Sequence, residues 1–99
     1  MKLIFEWDER KGRENRLVHK IGFEEAKTAF NDPFLISFPD DVHSGYDERL
    51  LSIGTSIRGR VLLVVHTESY EEDGVIVVRV ISARKATPSE RRVYEENED

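Results

Sequence analysis

RVLLVVHTE (Arg60–Glu68) and VIVVRVIS (Val75–Ser82) decide how this sequence folds. Both are nearly continuous apolar runs rich in valine, the pattern of central strands covered on both faces. The acidic turn Ser69–Gly74 joins them into a long antiparallel hairpin. Upstream, Arg49–Ile57 alternates, and Leu51, Ile53, Thr55 and Ile57 share one face at the period of a half-buried strand. Arg58-Gly59 is the tight turn that leads from this strand into the first valine run. Phe34–Phe38 supplies a fourth, short strand, ended by Pro39-Asp40-Asp41.

Helices flank this meander. Asp8 is placed to cap a helix over Glu9–Lys20, with acidic residues early and basic residues late, as the helix dipole favours. Leu17, Val18 and Ile21 are its expected apolar side, and Gly12 weakens it by up to about 1 kcal/mol. A second helix is expected from about Phe23 to Asn31, where Phe23, Ala26 and Phe30 lie on one helical face. Asp32-Pro33 ends it, because the residue before proline is driven out of the helical region. At the other end Thr87, Pro88 and Glu90 form a capping box that opens a helix carrying Val93 and Tyr94. Lys2–Glu6 is an optional edge strand. The expectation is one α+β domain over residues 1–99: two N-terminal helices, a four-stranded antiparallel sheet, a C-terminal helix and a frayed acidic tail over 95–99.

The 99 residues include no cysteine, which excludes disulfides, zinc–thiolate sites and thiol catalysis. Three scattered histidines show no metal-ligand spacing, so no metal or other cofactor is expected. No apolar run approaches the roughly 20 residues of a membrane-spanning helix, and Glu6 and Asp8 break the N-terminal apolar stretch, so a cytoplasmic protein without a membrane partner is expected. The net charge of −5 at first opposes nucleic-acid binding. However, −7 of it lies in Glu71–Asp73 and at Glu95, Glu96, Glu98 and Asp99, which leaves +2 for the rest. A local basic face is permitted, and local potential governs phosphate binding.

Three stretches carry a more specific signal. The first, FEWDERKGRENRLVHKIGFEEA, contributes Trp7, Asp8, Lys11, Asn15, His19, Phe23, Glu24, Glu25 and Ala26. The second contributes Asp32, Pro33, His43, Ser44, Glu48, Arg49, Ile53, Gly54, Ser56, Gly59, Arg60, His66, Thr67 and Glu68. The third, RVISARKATPSERRVYE, contributes Arg79, Ser82, Ala83, Arg84, Ala86, Thr87, Glu90, Arg91 and Tyr94, with Ile81–Thr87 the most specific piece. In order and spacing these resemble the BrnT family of ribonuclease toxins over nearly the whole chain. Two departures are visible: Val18 stands where members often have lysine, and Glu71–Asp73 lengthens a turn.

The resemblance implies a RelE-like fold and an endoribonuclease that halts translation by metal-independent RNA cleavage. It also implies a cognate BrnA-like ribbon-helix-helix antitoxin, with operator DNA reached only through that antitoxin. Such cleavage needs a base for the ribose 2′-hydroxyl, cations for the phosphorane-like transition state and an acid for the leaving 5′-oxygen. His66 and Glu68, two apart on one strand face, are candidates for the proton transfers. Arg60, Arg79 and Arg84 are candidate phosphate ligands, Arg84 first among them because it sits at the strand-to-helix junction. These five form the expected catalytic set. Lys11, His43, Arg49 and Tyr94 are the expected RNA-binding residues.

Each has a structural alternative: the arginines pair with carboxylates such as Glu48 or Glu68, His66 caps a strand end, and His19 closes its helix. Trp7 is read as core in preference to a base-stacking residue. The rival to the enzyme is a BrnT-like binding module without cleavage, acting only as antitoxin partner or co-repressor; an interaction domain without toxin ancestry is a weaker third reading.

Overall fold

The computed structural model describes residues 2–42 and 48–98. In chain order the elements are β1 (Lys2–Glu6), α1 (Glu9–His19), α2 (Phe23–Thr28), β2 (Ile36–Pro39), β3 (Leu50–Thr55), β4 (Val61–Tyr70), β5 (Val75–Lys85) and α3 (Pro88–Glu98). Single 3₁₀ turns follow α2 at Ala29–Asn31 and precede β5 at Glu72–Gly74. The sheet order is β1-β5-β4-β3-β2. β2 to β5 form the expected antiparallel meander, but β1 is a full fifth strand and runs parallel to β5, with Lys2 opposite Val75 and Glu6 opposite Arg79. The expected four-stranded antiparallel sheet is therefore a mixed sheet of five. No helix among the described residues is long and apolar enough to cross a membrane.

Local chemistry accounts for the boundaries. Asp8 caps α1 by accepting from the backbone N–H groups of Arg10 (2.9 Å) and Lys11 (3.1 Å). Lys20 ends it in the left-handed region at φ 63°. The capping box forms, with Thr87 N–H donating to Glu90 Oε1 (2.8 Å) and Glu90 N–H to Thr87 Oγ1 (3.3 Å). α3 continues through Glu98, past the expected fraying point, with an i,i+4 pair between Arg91 and Glu95 (2.9 Å). The β3–β4 turn closes through Gly59 at φ +77°, a conformation only glycine adopts freely, and leaves Ile57 81% exposed in the turn instead of on the strand face.

The sheet has two unlike faces. Leu62, Val64, Val80 and Ala83 pack under Ile21, Phe23 and Ala26, with Phe5, Trp7 and Phe30 at the margin. Trp7 meets Phe23 edge-on at 6.0 Å. Gly54 belongs to this side, where a Cβ would come within 2.9 Å of the Ala29 carbonyl; the glycine lets the 3₁₀ turn settle on β3. On the opposite face α3 covers one end, where Tyr94 packs on Ile53 and Leu63.

α1 departs furthest from expectation. Leu17 and Val18 are 73% and 71% exposed, and the helix's buried residue is Asn15. Beyond Arg79, β1 no longer pairs with β5, and α1 packs there instead. Asn15 takes over as a substitute strand: its Nδ2 donates to the carbonyls of Ala83 (2.8 Å) and Ile21 (2.8 Å), and its Oδ1 accepts from Ala83 N–H (3.1 Å). A buried amide that satisfies three backbone groups is costly to lose. Asn15→Ala is expected to destabilise the chain by about 2–4 kcal/mol in urea denaturation, and Asn15→Asp by more, because a carboxylate faces two carbonyl oxygens.

Candidate active site

Residues opposite one another in register point to the same side of a sheet, and Leu63, Val65 and Thr67 alternate onto one side of β4. Their β5 partners are Arg84, Ser82 and Arg79. Arg79 and Arg84, five residues apart, share a face only because the register shifts between Val65 and His66, which leaves Ile81 as an extra residue. That face is the one turned away from α2. His66 and Glu68 lie on the other. Arg60 joins them there, bonded to Glu25 of α2. The expected catalytic set is thus split between the two sides of the sheet.

Each member has a structural explanation. Arg60 donates from Nε (2.8 Å) and Nη2 to the Glu25 carboxylate, which also accepts from Ser56 Oγ (2.8 Å). The Arg60 bond, with help from Ser56, holds the Glu25 carboxyl below its usual range, although burial opposes it. His66 is fully buried, stacked edge-on with Phe30 at 5.0 Å. Its Nε2 shares a hydrogen bond with Ser52 Oγ (2.6 Å), which is linked in turn to Ser37 Oγ (2.6 Å). Its Nδ1 lies 3.9 Å from Glu68, beyond hydrogen-bond length. Glu68 itself accepts from Tyr70 OH (2.8 Å).

The two arginines of the open face are also paired, Arg79 with Glu6 (2.7 Å) and Arg84 with Glu90. Arg84 forms a two-pronged contact, Nη1 to Oε1 (2.8 Å) and Nη2 to Oε2 (2.9 Å), which clamps β5 to the first turn of α3. Neither Glu48 nor Glu68 is the partner of any of the three arginines. Tyr94 is 3% exposed, and its hydroxyl reaches Asp32 and Thr55 Oγ1 (2.9 Å), so its ring offers no surface for a base. His43 lies outside the described residues.

Two expected RNA ligands do meet. A cleft of about 380 Å³ beside α1 is lined by Lys11, Glu14, Asn15, Val18, His19, Arg49 and the bulge residue Ile81. Lys11, Asn15, Val18 and His19 form one stripe of α1, and Arg49 reaches in from just before β3. Arg79 stands two residues along β5 from Ile81, on the open face. Two cations and an imidazole thus line one depression. The described residues include no group of three or more histidine, cysteine or acidic side chains arranged to hold a metal ion. His19 closes α1 as its last residue, before the Lys20 C-cap, and also lines this cleft; the cleft is formed by the bulge and the edge-on packing of α1, neither of which has a sequence pattern.

A family model described as "Ribonuclease toxin, BrnT, of type II toxin-antitoxin system" matches residues 7–90. The chain belongs to the BrnT family. The crystal structure of the Brucella abortus ribonuclease toxin BrnT superposes with a TM-score of 0.59, covering 88% of this chain and 99% of that one at 24% identity. That likeness shows a shared fold. No curated protein matches the chain. As a BrnT member of a type II system it has a cognate antitoxin as partner, and the family is one of ribonucleases.

Two pH effects follow from a buried histidine and an ion-paired glutamate of this BrnT chain. Burial pushes the His66 imidazole below its ordinary value of 6.5, and the nearby Glu68 charge does not offset it. The unfolded chain then takes up the proton more readily than the folded one, so stability is complete above pH 6.5 and declines as pH falls below it. A His66→Leu variant, in which Ser52 keeps Ser37 as partner, is expected to lose that part of the decline in urea midpoints measured between pH 7 and 5. The Arg84 bond lowers Glu90 from 4.5 to about 2. Its contribution is present above pH 4.5 and disappears toward pH 2, so Glu90→Gln is expected to lower the melting temperature at pH 6 and to leave it nearly unchanged at pH 2.

Proposed function

We propose that this chain is an endoribonuclease toxin that binds RNA across the open sheet face and cleaves it at the α1 cleft without a metal ion. The observation that carries this reading is the meeting of Lys11, His19 and Arg49 over Ile81, in a chain of a ribonuclease family. Lys11 and Arg49 bind the scissile phosphate and stabilise the charge that builds on its non-bridging oxygens. The ribose 2′-hydroxyl attacks phosphorus and loses its proton, and the 5′-oxygen leaves with one. His19 and Glu14 are the proton-transferring groups the cleft offers. Arg79 extends the cationic path along β5, while Arg60, His66, Glu68 and Arg84 support the fold around it. In the cytoplasm a ribbon-helix-helix antitoxin neutralises the toxin, and that antitoxin alone contacts operator DNA.

One observation favours the rival, a binding module without cleavage: Arg60, His66, Arg79 and Arg84 all have protein partners. End-labelled RNA incubated with the purified chain in chelator separates the two. Cleavage by the parent, reduced roughly a hundredfold in Lys11→Ala/Arg49→Ala, is the expected result. Equal cleavage by both proteins would remove the reaction from this cleft. No cleavage by the folded parent would leave the binding module as the reading.

A further inference from the structure

The acidic residues of this chain outnumber the basic ones, 20 to 15, yet several cations, Arg13 and Arg16 of α1 among them, have no acidic partner among the described residues. Arg10, Lys27, Arg58, Arg60, Arg79, Arg84 and Arg91 all lie within ion-pair distance of a glutamate. Among the described residues Arg13 and Arg16 of α1 do not, although acidic side chains are plentiful on the surface. They stand three apart, with Leu17 completing the stripe and Lys20 one turn further on. Arg13, Arg16 and Leu17 together line a shallow depression of about 350 Å³. Leu17 is 73% exposed, and its neighbour Val18, 71% exposed, forms part of the cleft wall. The helix thus carries two adjacent stripes, one facing the cleft and one cationic and apolar facing outward.

An exposed leucine and valine on a helix with unpaired arginines is a surface that lacks its counterpart. The helix does not need these side chains for its own packing, because Asn15 holds it to the sheet. Charge complementarity specifies what fits: an amphipathic segment with an apolar side chain for Leu17 and Val18 and carboxylates for Arg13 and Arg16. We infer that this outward stripe of α1 is where the cognate antitoxin docks, through an acidic amphipathic segment. Resting on the RNA-cleft reading, the position also supplies the mode of neutralisation. A segment seated on Leu17 and Val18 covers the rim of the cleft and shuts RNA out.

The test uses the full chain and its cognate antitoxin, with a double charge reversal, Arg13→Glu/Arg16→Glu, and separately Leu17→Ser. All three side chains are exposed, so both variants are expected to keep the parent's circular dichroism and melting temperature. Calorimetric titration with the antitoxin is expected to show affinity reduced roughly tenfold or more in each variant. RNA cleavage by each variant is expected to stay within about threefold of the parent and to persist at antitoxin concentrations that silence the parent. Antitoxin affinity unchanged in both variants would overturn the assignment. So would cleavage lost with antitoxin binding intact, which would give the stripe to RNA. If the parent itself cuts no RNA, the affinity measurement still decides the docking site, and only the enzymatic reading falls.

Discussion

The single extra residue at Ile81 governs what this protein presents to its surroundings. A regular strand would put Arg79 and Arg84 on opposite faces, since they are five residues apart. The bulge opposite Val65 and His66 restores them to one side and places Ile81 and Ser82 between them. It also sets the floor of the cleft, because Ile81 is the sheet residue that Lys11, His19 and Arg49 surround. Next to the bulge, Ala83 turns its free backbone groups toward Asn15, so the register shift and the seat of α1 occupy the same stretch of β5. Strand irregularity and helix docking together form the depression that a flat antiparallel ladder would lack.

Much of this architecture was legible because its causes are local. The valine runs, the Asp8 and Thr87–Glu90 caps and the turn at Gly59 depend on neighbours a few residues away, and they form as read. What failed depends on distant partners. Pairing of β1 with β5 leaves no periodic trace, since Lys2–Glu6 looks the same alone or joined to a strand more than seventy residues on. Leu17 and Val18 looked like a buried stripe because apolar spacing does not reveal that a buried amide holds the helix. His66 looked like a strand-end base because the sequence does not show Phe30 closing over it.

The candidate site divides in the same way. Lys11 and Arg49 were expected to bind RNA and line one cleft, while the catalytic set dispersed, each arginine claimed by a glutamate. Of those partners, Glu25 lies within a family-like stretch and Glu90 is the capping-box residue, and neither position marks a counter-charge in the sequence. Such pairing has an energetic logic: an arginine left half-buried on an apolar strand must be compensated, whereas one on an exposed helix need not be. Arg60 and Arg84 thus tie the sheet to α2 and α3, while Arg13 and Arg16 on the exposed side of α1 have no acidic partner among the described residues.

The parallel pairing of β1 imposes an order in time. β1 has its neighbour in a strand made more than seventy residues later, so the sheet stays incomplete until Val75–Arg79 has been synthesised. α1, which follows β1 directly, docks through Ala83, further still along the same late strand. A nascent chain thus carries the cations of its N-terminal helix without the sheet floor that makes them a cleft. In this member of a toxin family the helix and the strand that complete the depression around Ile81 are thus brought together only after β5 has been made.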